Sequence, residues 1–393
     1  MTMTSTRRSL LKMGLAGLFI PQASFALANE KQSQSFEAWR REFEAGVPAR
    51  MTAAKVVGAS VAICSSGSAV RYASSFGFAD LKQQRPLTVD TPIHLASVSK
   101  LFTASALVQL FERHGLDLHD DINGFIDFPV RNPHHLDLPI TPHQLLTHTS
   151  SISDEGYGDY SVAGDPTQSL SSFLRDYLVK GGSTYSPNKS FLKAKPGKKW
   201  SYCNVAVALA GYVVESVSKQ SFSSYVEANI FEPLGIQTAH WYLKEFAPDV
   251  LAKPYRFEKG AFTELPQEGY PDVPAGMLRC SVTNLAKSLH AMLGRETGAK
   301  AILSPHAVAE MLRRQVDPKI ASYQGLGWIE EEINGHKFVG HSGSDNGASN
   351  MVILTKDQTY AIAVLMNIDG TPKTEKFRAS MIEDLIAGTK LLG

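Results

Sequence analysis

A serine three places ahead of a lysine can act as a nucleophile beside its proton acceptor. "ASVSKLF" at residues 96–102 holds such a pair, Ser97 and Lys100. Residues i and i+3 share a helix face, so the amine can reach back to the hydroxyl. A serine hydroxyl is a weak nucleophile until a neighbouring base takes its proton. The spacing alone is weak, because five S-x-x-K quadruplets begin at Ser9, Ser97, Ser186, Ser190 and Ser216. Their surroundings separate them. Ser9 falls in a leader-like segment, and Ser186 and Ser190 sit in a polar loop with Pro187. Ser216 falls at the trailing end of a helix expected over 204–219, where free carbonyls rather than amides collect. Ser97 instead opens an apolar helix, whose first-turn N–H groups and dipole favour negative charge. That suits an oxyanion forming on an attacked carbonyl. Burial there disfavours a charged ammonium and lets Lys100 accept a proton. On this motif alone, Ser97 is equally well a helix cap and Lys100 a solvated side chain.

Two further stretches set polar groups at the edge of apolar elements. "KPGKKWSYCN" places Tyr202 and Asn204 two residues apart just before a second apolar helix. "VGHSGSDNG" places His341, Ser342, Gly343 and Ser344 on a strand.

The elements that must bring these pieces together are legible in outline. Residues 36–49 read as a helix, and "VVGASVAICSSG" and "AVRYASSFGFAD" as two adjacent strands joined by a Ser/Gly turn. Residues 97–114 are apolar around nearly the whole circumference, the mark of a central helix, with Gly115 as its stop. "TPHQLLTH" and "SLSSFLRDYLV" are short helical pieces, 204–231 is helical again, and "TNLAKSLHAML" at 283–293 is another helix. "GLGWIEEEI", "HKFVGHSG" and "NMVILTKDQTYAIAVLMN" alternate like antiparallel strands, and a last helix covers about 372–388. Strands near both ends with a helical block between them predict an α+β fold. The expected layout is an antiparallel sheet flanked by helices with an inserted, mostly helical part. The sheet part covers about 36–116 and 275–393, and the helical part about 117–274, within a domain over 29–393.

Residues 1–28 read as a leader. Arg7 and Arg8 precede a short apolar run, Met13 to Ile20, and "ALA" at 26–28 offers small residues for cleavage. The pattern is that of a twin-arginine export signal, and eight apolar residues are too few to span a bilayer. No cysteine follows the run to take a lipid. The mature chain is therefore expected in the periplasm or secreted, with no integral membrane segment. Lys plus Arg total 39 against 38 for Asp plus Glu, so no overall field favours nucleic acid. Cys64, Cys203 and Cys280 are too few for a disulfide framework and read as small buried side chains. His134, His135, His143 and His148 invite a metal, but no H-E-x-x-H or paired-cysteine spacing accompanies them. Neither a metal nor another cofactor is expected.

Taken in order, S-x-x-K, then Y-x-N, then [KH]-[ST]-G resembles the serine β-lactamase and penicillin-binding protein superfamily. The tyrosine of Y-x-N is similar to the branch holding class C β-lactamases, D-alanyl-D-alanine carboxypeptidases, D-aminopeptidases and family VIII esterases. "ITPHQLLTHTSSI" resembles that branch's "LLTHTSG", with Ser151 where glycine is usual. "SFSSYVEANIFEPLGI" and "GMLRCSVTNLAKSLHAML" resemble it too, so the likeness runs over about residues 36–390.

The resemblance implies a β-lactamase/transpeptidase-like fold and a set of roles. Ser97 becomes acylated, and Lys100 and Tyr202 handle its proton as a coupled pair. Asn204 holds Lys100 and donates to a substrate carbonyl. The N–H groups of Ser97 and Ser344 form the oxyanion hole. Gly343 lets substrate approach the strand backbone closely. Ser342 hydrogen-bonds a leaving group or a substrate carboxylate. His341 stands where class C β-lactamases usually carry lysine, and a histidine is charged only part of the time near neutrality. The same position is histidine in D-aminopeptidases and many esterases of the branch; His341 can also be structural. Trp200, Tyr157, Tyr160 and Tyr185 lie on chain that overhangs the cleft, and Trp328 reads as core.

The function implied is an exported serine hydrolase that cleaves a small acyl ester or a D-amino-acid peptide, its substrate a small molecule or a peptidoglycan fragment. A class C-like β-lactamase or D-Ala-D-Ala carboxypeptidase is the alternative. A non-catalytic cell-wall-binding relative is the alternative of another class, and it has no need of Lys100 and Tyr202 together.

Overall fold

The computed structural model describes residues 22–158, 160–293, 301–333 and 335–392, with side chains from residue 32 onward. Residues 1–21 of the expected leader lie outside the described residues. Seven strands form the main sheet: β1 (Gly58–Ser65), β2 (Ser68–Asp80), β3 (Arg85–Pro86), β4 (Ile329–Ile333), β5 (His336–Asp345), β6 (Ala348–Thr355) and β7 (Tyr360–Met366). Their order is β4-β5-β6-β7-β1-β2-β3, and every neighbouring pair is antiparallel. The two ends of the chain meet where β1 pairs with β7, from Ala59 opposite Met366 to Ser65 opposite Tyr360. The fold is α+β, with helices on both faces of this sheet.

Successive strand residues point to opposite faces. Ala59, Val61, Ile63, Ile362, Val364 and Met366 enter one core, beneath α1 (Gln22–Ala54) and α5 (Pro372–Thr389). Ala62, Cys64, Ala361, Ala363 and Leu365 enter the other, against α4 (Val282–Ala291). The C-terminal strands were expected to alternate; what alternates is large against small, because both faces are covered. The small face lets α4 lie close across β1, β2 and β7. Each fully buried Val, Ile or Leu contributes about 1.5–3 kcal/mol, so the two faces hold these distant segments together.

α1 is longer than the helix expected over 36–49. Residues 22–45 contain no glycine or proline to stop it, and it runs on through Gly46 and Pro48 to Lys55, which turns left-handed at φ 61°. α2 (Lys100–His114) is buried at every residue from Lys100 to Phe111 and packs on α3 (Asn204–Ser218). Gly115 ends it with φ 63°, as the sequence predicts. Gln109, a polar residue inside α2, donates to the Ile302 carbonyl at 2.6 Å and accepts from the Tyr225 hydroxyl at 3.0 Å. The short helix Pro142–Leu146 starts on a capping box between Thr141 and Gln144, and Leu170–Leu178 starts on the Ser169 hydroxyl.

Candidate active site

Ser97 lies not on α2 itself but in the tight turn Ala96–Ser99 that leads into it. The Leu95 N–H donates to the Leu278 carbonyl at 2.9 Å, and the Leu278 N–H donates to Ser99 Oγ at 3.2 Å. These bonds stitch the turn to the short strand Arg279–Cys280. Ala96 is forced to φ 49°, a left-handed conformation that costs a residue with a Cβ about 1–2 kcal/mol. Strain next to a nucleophile persists only where the surroundings impose it. Here it precedes the half-buried Ser97, whose hydroxyl borders a cavity.

Lys100 is 2 % exposed and reaches back as the i, i+3 spacing predicts. Its Nζ donates to Ser97 Oγ at 2.9 Å and to the Ala275 carbonyl at 2.6 Å. The same Nζ stands over the Tyr202 ring, 5.1 Å from its centroid. The fold thus brings Ser97 and Lys100 of one segment together with Tyr202 of another. The group holding Lys100 is the Ala275 carbonyl rather than Asn204, whose side chain lines the cavity instead.

Tyr202 is packed from behind by His148, with ring centroids 4.4 Å apart. The Cys203 N–H donates to His148 Nδ1 at 3.2 Å. Burial, then the charge of Lys100, holds His148 well below its ordinary pKa, so it stays neutral. Asp154 closes the start of α3: its carboxylate accepts from the N–H groups of Asn204 at 2.6 Å and Val205 at 3.1 Å. An anion at a helix N-terminus satisfies orphan amides and complements the dipole. The Cys203 thiol donates to Asp154 at 2.9 Å, and burial and that carboxylate raise its pKa well above the ordinary value. It is buried, as its sequence context suggested, and it also caps α3 by accepting from the Ala206 N–H.

β5 supplies the opposite wall. Its pairing with β4 ends at Gly340, so the edge of 341–345 is left to face the Ser97 turn while its other side pairs with β6. A Cβ on Gly343 would lie 2.3 Å from the Leu95 carbonyl oxygen and 3.1 Å from the Val98 nitrogen. The close approach expected of substrate at Gly343 is therefore made by the nucleophile's own turn. Ser344 follows at the mouth of the cavity, and Ser342 is half-buried beside His341.

His341 is 3 % exposed, and its Nδ1 donates to the Ser342 carbonyl at 2.5 Å. Its ring is 6.2 Å from that of Tyr202, and its Nε2 is buried without a partner. Burial, then Lys100, pushes its pKa down to about 4. The partial charge expected near neutrality is thus absent, because water cannot solvate an imidazolium there and an ammonium stands nearby.

Ser97 opens into a cavity of about 190 Å³, lined by Tyr157, Tyr160, Asn204, Tyr270, Asp272, Gly276, Ser344 and Asp345 among others. Asp272 is 1 % exposed and accepts from the Tyr157 hydroxyl at 2.6 Å. Burial drives its pKa up to about 6, against the opposing pull of Tyr157 and Lys100. Tyr157 and Tyr160 line the cavity as their place in the chain suggested. Trp200 packs on His148 and Tyr323 and donates to Gln324. Tyr185 packs on Phe191, and Trp328 is core. Asp272, Ala275, Asp154 and Asp345 were not singled out from the sequence. A charged residue inside the apolar run "YPDVPAGM" was the available signal for Asp272. Among the described residues no group of three or more His, Cys, Asp or Glu is placed to hold a metal.

A family model described as Beta-lactamase matches residues 43–385. The chain is 24 % identical over 315 residues to Protein flp of Staphylococcus aureus (strain NCTC 8325 / PS 47), across 80 % of this chain and 60 % of that protein. It thus spans well under two thirds of that relative's length. The octameric penicillin-binding protein homologue from Pyrococcus abyssi superposes with a TM-score of 0.70 at 27 % identity, over 88 % of this chain and 77 % of that one. D-amino acid amidase from Ochrobactrum anthropi SV3 gives a TM-score of 0.70 at 20 % identity, over 90 % and 98 %; this last likeness is one of fold.

Proposed function

The chain belongs to the beta-lactamase family, and we infer that it is a serine hydrolase working through an acyl-enzyme on Ser97. The observation that carries this is one amine, Lys100 Nζ, held 2.9 Å from Ser97 Oγ and over the Tyr202 ring. A base within hydrogen-bond reach of the proton it removes is the geometric requirement for general-base catalysis. Ser97 Oγ attacks the substrate carbonyl carbon while its proton passes to the Lys100–Tyr202 pair. The oxyanion is received by the N–H groups of Ser97 and Ser344, across the gap between the turn and the β5 edge. The bond to the leaving group breaks as that group takes the proton from the pair. Water then attacks the ester carbonyl and gives its proton to the same pair, and the pair returns it to Ser97 Oγ as the acyl bond breaks and the acid leaves.

The substrate is a small acyl ester or an amino-acid amide or peptide. A neutral, buried His341 offers no permanent charge to a β-lactam or C-terminal carboxylate, so the β-lactamase and carboxypeptidase alternatives take second place. Action outside the inner membrane rests on the Arg7–Arg8 leader. Among the described residues no helix is long and apolar enough to cross a membrane. Export fails in an Arg7→Lys, Arg8→Lys chain if that leader is the signal.

The deciding experiment is labelling by a fluorescent phosphonate. Label is expected in the native chain and in Ser216→Ala, a residue in the last turn of α3, and is lost in Ser97→Ala. Label retained in Ser97→Ala overturns the reading.

A further inference from the structure

Resting on the Ser97 reading above, we propose that the acyl half of the substrate carries an ammonium group, seated against the carboxylate of Asp272. Among the described residues, the charged side chains lining the cavity beside Ser97 are two carboxylates, Asp272 and Asp345. Among the described residues no lysine, arginine or histidine lines it. The nearby cations are turned to other work. Lys100 is held by Ser97 and Ala275, and the buried Arg279 donates to the carbonyls of Met277 and Glu268. His94 lies behind Gly276, kept neutral by burial and by Arg279. A substrate carboxylate would meet negative charge here, whereas an ammonium meets two acceptors.

The depth of Asp272 says which half of the substrate bears the charge. The leaving group must depart to solvent before water enters, while the acyl group stays through deacylation. Asp272 is 1 % exposed, whereas Asp345 on the same lining is half-buried. An ionised carboxylate has about four acceptor sites, and among the described residues it takes one side-chain bond, from the Tyr157 hydroxyl, and one from its own backbone N–H. The tyrosines 157, 160 and 270 line the same cavity, and aromatic faces attract cations. Gly276 makes room for one of them: a Cβ there would lie 2.2 Å from the Tyr270 hydroxyl oxygen. The volume of about 190 Å³ suits a small aminoacyl group.

The test compares kcat/KM at pH 7 for the p-nitroanilides of D- and L-alanine with that of propionic acid, which lacks only the amino group. The full chain is used, as native protein, Asp272→Asn and Asp345→Asn. A charge-assisted hydrogen bond predicts that the aminoacyl-to-propionyl ratio, for the better enantiomer, falls roughly 10- to 100-fold in Asp272→Asn. Asp345, half-buried and so more screened by water, gives a smaller fall. An unchanged ratio in Asp272→Asn overturns the proposal. A second arm needs no variant: isobutylammonium should inhibit hydrolysis of p-nitrophenyl propionate at concentrations roughly 10-fold below isobutanol. Equal inhibition by the two also overturns it. Ser97-dependent turnover of the neutral ester without any ammonium advantage sinks this proposal alone. Absence of turnover together with absence of phosphonate label at Ser97 sinks the hydrolase reading, and this one with it.

Discussion

Asp272→Asn should stabilise the protein at neutral and alkaline pH and do little in acid. The folded pKa of Asp272 is about 6 against an ordinary 3.8, and burial is the main cause. The groups that face it are the Tyr157 phenol, Lys100 and Asp154. A raised carboxyl pKa means the folded state holds its proton where the unfolded chain has released it. Its stabilising contribution is therefore complete below about 3.8 and lost as pH rises through about 6. Two units at about 1.4 kcal/mol each make a destabilisation of about 3 kcal/mol above pH 8. Asparagine is never charged and can accept the same Tyr157 bond, though its amide N–H groups lack a built partner, which costs about 1 kcal/mol. Denaturant unfolding of both proteins, across about pH 4.5 to pH 8, should show the variant gaining about 2 kcal/mol on the native chain. Other titrating groups cancel in that difference. A gap that stays constant with pH, or closes as pH rises, would refute the placement of a buried, poorly compensated carboxylate at this site.

Other consequences are as sharp. His341, held at about 4 by burial and Lys100, should keep neutral-imidazole NMR shifts from about pH 8 down to about pH 5. Because that pKa is depressed, its stabilising contribution is complete above about 6.5 and lost as pH falls toward 4. Gly343→Ala drives a methyl into the Leu95 carbonyl. A melt should show a loss of about 1–3 kcal/mol, with turnover falling further as the Ser97 turn is pushed from β5. Ser151, left-handed at φ 65°, accepts from Asn132 Nδ2 at 2.8 Å. Ser151→Gly should be more stable than Ser151→Ala by about 1 kcal/mol, since both lose the bond and only glycine loses the strain.

That left-handed turn is a place that favours glycine, as in "LLTHTSG", and the bond from Asn132 is what the serine here adds. Ser97, Lys100, Tyr202 and His341 were legible because their side-chain types, order and flanking apolar elements all carry information. The Ala275 carbonyl that holds Lys100 was not, because any residue supplies a carbonyl. Asp154 was hidden because it reaches the start of α3 from a loop far back in the chain. The neutrality of His341 depends on burial and on Lys100, which distant parts of the chain create together and none encodes alone. The sheet was readable from its strands, but its two-sided cover turned an expected polar alternation into one of residue size.

The central claim is that Lys100 and Tyr202 together strip the proton from Ser97. The rate of phosphonate incorporation at Ser97, mapped by mass spectrometry, tests it directly in the native chain, Lys100→Met and Tyr202→Phe. Loss of general-base assistance predicts a fall of roughly 10²- to 10⁴-fold in each variant, with the fold intact by circular dichroism. Incorporation at the native rate in Lys100→Met would contradict it.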